Sequence, residues 1–203
     1  MKAQVNTLSI VLIAGIVVAM IAIAYAWGMP LIQKRTTITE FSTAQNFILS
    51  LDSKITDIAN SGSGEFILDI PSGFVNVYGY GDGNPDNNSV VLEFVTDQPM
   101  ITNASNVLLK TNSFGEVGVY GESEPRIITM SNEVSAASKN KMKLKLHYRE
   151  LDSETKGYKI ALNPITRSGD IRIKGSFDRN VVQPNNASNQ GDLVLTYITL
   201  EVT

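Results

Sequence analysis

An α+β fold follows from three features of the chain. A run of twenty residues, Leu8 to Trp27, carries no charge. A helical stripe of apolar residues comes directly after it. Beyond residue 64 the apolar period drops to two. Together they predict a long bent N-terminal helix, transmembrane and then amphipathic, packed on an antiparallel β-sandwich or a partly open barrel.

The uncharged run is LSIVLIAGIVVAMIAIAYAW. As a helix it spans about 30 Å, the thickness of a bilayer's hydrocarbon core. Tyr25 and Trp27 close it, as aromatic residues do where a membrane helix meets the interface. Gly15, Ala19, Ala22 and Ala26 recur at steps of three and four, and small residues on one face let helices approach closely. From residue 31 to 60 the pattern changes. Ile38, Phe41, Ala44, Ile48, Leu51, Ile55 and Ile58 form a stripe at helical spacing, with Phe47 beside it, and such a stripe packs on a core. Only Gly28 and Pro30 separate the two parts. Proline kinks a helix without necessarily ending it, so one helix of roughly 80 Å is expected. Ser61-Gly62-Ser63-Gly64 supplies the glycine-rich end.

From Glu65 the residues alternate. Phe66, Leu68 and Ile70 mark a first strand, Val75 and Val77 a second, and Val90, Leu92 and Phe94 a third. Further strands are expected over 106–110, 115–120, 126–131, 141–149, 158–163, 170–175 and 193–202. Gly, Asn, Ser and Pro clusters separate them, which is the layout of a sandwich. No internal repeat and no second domain boundary is visible.

Composition narrows the function. A net charge of −3 gives no footprint for a polyanion, so no nucleic-acid partner is expected. The chain has no cysteine, which removes disulfides, thiolate metal sites and thiol nucleophiles. One histidine and no cluster of acid, base and nucleophile point away from an enzyme, and no cofactor is expected.

Lys2-Ala3-Gln4, a short polar step and then an uncharged helix resemble the start of an archaeal type IV pilin precursor, the family of archaellins and adhesion pilins. The resemblance covers the first 60 residues by pattern and the remainder by general architecture. It implies a pilin peptidase that cuts between Ala3 and Gln4. It implies an apolar helix that stays on the mature protein, holds it in the membrane and then packs into a filament core. The partners so implied are copies of the same chain, the membrane before assembly, and the assembly machinery. The organisation expected is a short leader over 1–3, the long helix over 4–64 (apolar span 8–27, amphipathic part 31–60) and a β-rich extracellular domain over 65–203. In the filament the packing face would be Gly15, Ala19, Ala22 and Ala26. Lys34 and Arg35 follow the span and only Lys2 precedes it, so charge alone leaves orientation open. Long domains translocate largely regardless of charge, and the β-domain is placed outside.

Two other readings stay open. Ala24-Tyr25-Ala26 fits the small-x-small rule of an ordinary signal peptidase. The span can equally be an uncleaved anchor for a membrane-held surface or accessory protein, such as a stator or an S-layer-binding module, that never polymerises.

Three further motifs have plain and functional readings. Asn87-Asn88-Ser89, Asn103-Ala104-Ser105 and Asn186-Ala187-Ser188 are sequons, which makes Asn87, Asn103 and Asn186 glycosylation candidates outside the membrane. Asp82, Asn84, Asp86 and Glu93 stand at positions 1, 3, 5 and 12 of a calcium-loop pattern, but Asn87 replaces the glycine and Pro85 stiffens the segment. An ordinary turn is the expectation there. Lys141, Lys143, Lys145, His147 and Arg149 share one face of a strand whose other face is apolar. They form either a solvated face that guards a sheet edge or a basic stripe for an acidic neighbour.

Overall fold

The computed structural model describes residues 2–96, 106–109, 115–134, 140–184 and 191–203. One helix, α1 (Lys2–Ser61), runs unbroken through Gly28 and Pro30. It stops where Gly62 takes φ +64° and donates its N–H to the Ile58 carbonyl at 3.0 Å. Glycine reaches that left-handed region without a Cβ penalty.

Twelve strands follow among the described residues: β1 (Glu65–Asp69), β2 (Phe74–Tyr78), β3 (Ser89–Thr96), β4 (Val107–Leu108), β5 (Val117–Val119), β6 (Arg126–Val134), β7 (Asn140–Tyr148), β8 (Glu150–Asp152), β9 (Lys156–Pro164), β10 (Ser168–Gly169), β11 (Arg172–Gln183) and β12 (Asp192–Val202). They form two sheets, in the orders β1-β11-β12-β9-β8-β5 and β10-β2-β3-β7-β6-β4. The sandwich is therefore realised and the barrel is not. Pairing is mostly antiparallel, but β12–β9 and β5–β8 are parallel. The chain leaves β9 to place β10 in the other sheet before it returns through β11, so β12 meets β9 running the same way. The short strands β8 and β10 carry no alternation long enough to announce themselves.

The second half of α1 lies in the core with the inner faces of both sheets. Ala44, Ile48, Leu51, Ile55 and Ile58 join Val75, Leu92, Leu144 and Leu146 from one sheet and Ile173, Ile198 and Leu200 from the other in a single apolar cluster. Phe41 packs against it, half-buried.

Ile38 does not. It is 47% exposed, whereas Thr37 is 3% exposed. Thr37, Phe41, Ala44, Ile48, Leu51, Ile55 and Ile58 alternate steps of four and three without a break, the spacing of a straight buried seam. A start at Ile38 breaks that alternation and turns the side chain outward.

Candidate functional site: one helix in two environments

From Ser9 to Thr36, no residue of α1 is buried. Fifteen large apolar side chains from Ile10 to Ile32 are exposed, Trp27 at 80%. Burying each is worth about 1.5–3 kcal/mol, so leaving all of them in water costs on the order of 20–40 kcal/mol. That exceeds the stability of a typical domain, about 5–15 kcal/mol. The helix has the length and hydropathy to cross a membrane, and this is compatible with membrane anchoring. Gly15, Ala19, Ala22 and Ala26 are all exposed, and nothing lies within 4 Å of a Cβ built on Gly15. Lys2, Ala3 and Gln4 belong to the first turn of α1.

The second half is fixed by more than apolar contact. Asp52 lies four residues after Ile48 and three before Ile55, on the flank of the stripe, and is 2% exposed. Its carboxylate accepts from the Arg126 guanidinium at the start of β6 and, at 3.2 Å, from the Tyr148 hydroxyl at the end of β7. Burial pushes Asp52 up to about 6, against the pull of Arg126. Burial also raises the Tyr148 phenol well above its usual range. A buried ion pair adds little net stability, but breaking one leaves a charge unmatched in the interior. Asp52 thus sets how the helix sits on the sheet. Its helical spacing was the available signal, masked by its being charged.

Asn88 is the second residue that sequence reading missed. It is fully buried and adopts φ +55°, a region that asparagine tolerates better than most residues. Strand β8 pairs with β9 only at Tyr158 and Gly157, which leaves the next stretch of that edge open. The Asn88 side-chain amide fills it. Its Nδ2 donates to the Ile160 carbonyl at 2.8 Å and its Oδ1 accepts from the Leu162 N–H at 2.9 Å. Nδ2 also donates to the Tyr148 carbonyl at 2.8 Å. The amide acts as a one-residue strand for one sheet while holding the end of the other.

The calcium pattern is not assembled. Asp82 accepts from the Gly79 N–H and pairs with Arg167 at 3.1 Å. Asn84 accepts from the Asp86 N–H, Asp86 pairs with Lys145 at 2.7 Å, and Glu93 pairs with Lys141 at 2.5 Å. Each side chain is engaged locally, as in a plain turn. Among the described residues, no group of three His, Cys, Asp or Glu could hold a metal.

The lysines of the basic stripe keep part of their surface in solvent, but the stripe does not guard an edge. Strand β7 lies between β3 and β6, so it guards no edge. Lys141, Lys143 and Lys145 meet Glu93, Glu133 and Asp86 of their own chain, and Arg149 is buried, donating to the Glu124 and Gly115 carbonyls. The stripe is neutralised internally. Of the sequons, Asn103 and Asn186 lie outside the described residues. Asn87 accepts from the Gly81 N–H at 2.9 Å, and Ser89 is buried with its hydroxyl donating to the Asp86 carbonyl. Both side chains that this sequon offers are part of the turn.

Compared with protein-family models, with curated proteins and with solved structures, the chain matches none. The fold defines it as an α+β protein: a membrane-capable helix carrying a β-sandwich.

Proposed function

We propose that this chain is the structural subunit of a surface filament of the archaeal type IV pilus kind, assembled through the first half of α1. One observation carries the reading: a single continuous helix is bare and apolar for its first half and locked into its own domain for its second. A simple anchor needs the first property only. A subunit needs both, because the domain must follow the helix rigidly into the assembly. The apolar half waits in the bilayer with the β-domain outside and then packs against copies of itself. Lipid contact is exchanged for protein contact, so shape rather than transfer from water drives the step.

A second reading, an accessory anchor that does not polymerise, is favoured by the exposure of that half on every side, which lipid alone can cover. The two differ in their demand for shape. Gly15→Leu and Ala19→Leu keep the span apolar and permit insertion. The filament reading predicts normal membrane levels in the native host with filaments lost from the sheared surface fraction, because bulk intrudes where helices meet. Filaments that survive both substitutions, or wild-type cells that shed none containing this chain, favour the anchor. Intact mass adds a check: a mature chain starting at Gln4 fits a pilin, Met1 an anchor, and Trp27 a secreted protein.

A further inference from the structure

Lys34 and Arg35 belong to neither environment of α1. They stand between the bare apolar run, which ends at Ile32, and Thr37, the first buried residue after it. Both are exposed, and neither makes an ion pair among the described residues. By contrast the lysines of β7, Arg126, Arg167 and Arg172 all meet a carboxylate of their own chain. The helix itself has no partner to give. Ion pairs along a helix join residues three or four apart. Around Lys34 and Arg35 those positions hold Pro30, Leu31, Ile32, Thr37, Ile38 and Thr39, and no acidic residue occurs between Leu8 and Thr39.

The pair also has neighbours of one kind. At about 100° per residue, Trp27, Leu31, Lys34, Arg35 and Ile38 fall on one face of α1, within about 100° of one another. All five are exposed. The seam that enters the core, from Thr37 to Ile58, lies roughly a third of a turn away. The strip therefore looks past the domain rather than into it. It carries an indole, two aliphatic side chains and two unmatched cations.

We propose, on the reading that the first half of α1 sits in a bilayer, that this strip docks on anionic phospholipid. Lys34 and Arg35 stand about 3–5 Å beyond Ile32, within the headgroup layer of the leaflet on the domain's side. There they meet phosphates, while Trp27 and Leu31 meet the upper acyl chains. The apolar run from Leu8 to Ile32 is about 37 Å long, and hydrocarbon of about 30 Å makes it tilt. Tilt toward the strip brings Ile38 down to the same layer, which gives that side chain a surface outside the core. A zwitterionic lipid cancels its phosphate with its own cation. An anionic lipid keeps a net charge for each basic residue, at about a fivefold gain in occupancy apiece. A second copy of the chain fits less well, because copies side by side in register set like charges against each other.

Trp27 is the only tryptophan of the chain and belongs to the strip, so its fluorescence reports on this place. The full-length chain is reconstituted in phosphatidylcholine vesicles that hold a minor fraction of phosphatidylglycerol. Bromine, which quenches indole on contact, is carried on the acyl chains either of the phosphatidylglycerol or of an equal amount of phosphatidylcholine. Brominated phosphatidylglycerol should quench Trp27 as though enriched about fivefold or more around the helix. High salt should reduce that enrichment. Lys34→Gln together with Arg35→Gln should bring the two lipids to equal quenching without changing the melting of the domain. Lys54→Gln, at an exposed lysine of the domain-bound half, should leave the enrichment as it is. Equal quenching by both lipids in wild type, or an enrichment that survives the double substitution, overturns the proposal. Quenching by neither lipid overturns the bilayer placement itself, and the proposal with it.

Discussion

The two halves of α1 have the same backbone and opposite surroundings. From Ile10 to Ile32 the large apolar side chains are exposed on every side of the helix, while from Ala44 to Ile58 a single apolar seam is buried in the core. Apolarity alone therefore does not say where a helix belongs. Its angular distribution does. A helix apolar all round has no face to give to water and needs a surrounding medium, lipid or like helices. A helix apolar on one seam can share a core and keep its other face wet.

The sharpest way to break this comparison is to place a charge in each half. Ile48→Asp or Leu51→Asp puts an unpaired carboxylate in the apolar cluster and should cost about 3–5 kcal/mol. Val17→Asp should leave the melting of the domain unchanged in detergent, because no part of the core touches that half. Thermal melts of the full chain in micelles decide it. Equal losses at both places would mean that the halves are not energetically separate.

Asn88→Ala tests the sheet-to-sheet link. It removes three side-chain hydrogen bonds and leaves the Ile160 carbonyl and the Leu162 N–H open, at about 2–4 kcal/mol, since unsatisfied buried groups cost more than a bond contributes. A chemical denaturation midpoint close to that of the parent would show the edge of β9 to be self-sufficient.

Asp52 gives a pH signature. Burial raises its pKa from the ordinary aspartate value of 3.8 to about 6. In that window the folded chain holds a proton that the unfolded chain has released. Stability therefore falls as pH rises from about 4 to about 6, by on the order of 3 kcal/mol from this group. Asp52→Asn removes the titration and should flatten the profile there relative to wild type. Parallel profiles for the two proteins would sink the assignment. The smallest effect belongs to Ile38→Ser, within about 0.5 kcal/mol because the side chain already faces out. A larger loss would restore Ile38 to the seam.

Much of this was legible from residues alone. The uncharged run, the stripe from Phe41 to Ile58 and the alternation of β1, β3, β7 and β12 all rest on periodicity, which local sequence records directly. The helix end at Gly62 was equally visible. What failed was non-local. Whether β7 is central or at an edge depends on which strands flank it, and nothing in its own residues says so. The lysines of β7 looked free because their partners Glu93, Glu133 and Asp86 sit on neighbouring strands and a turn. Asp52 and Asn88 were passed over because a polar residue in a buried place is defined by the groups that satisfy it, here 74 and 60 positions away in sequence. The parallel β9–β12 pair was missed for the same reason.

The central claim is that the bare half of α1 ends against copies of itself while the other half stays in its own domain. A photo-activated cross-linking residue at Val18, which is 67% exposed, reports directly on what touches that half. In native-host cells expressing the full chain, the account predicts a ladder of chain-to-chain adducts at multiples of the subunit mass. Adducts of single chains with lipid alone, from cells with ample protein at the surface, would contradict it.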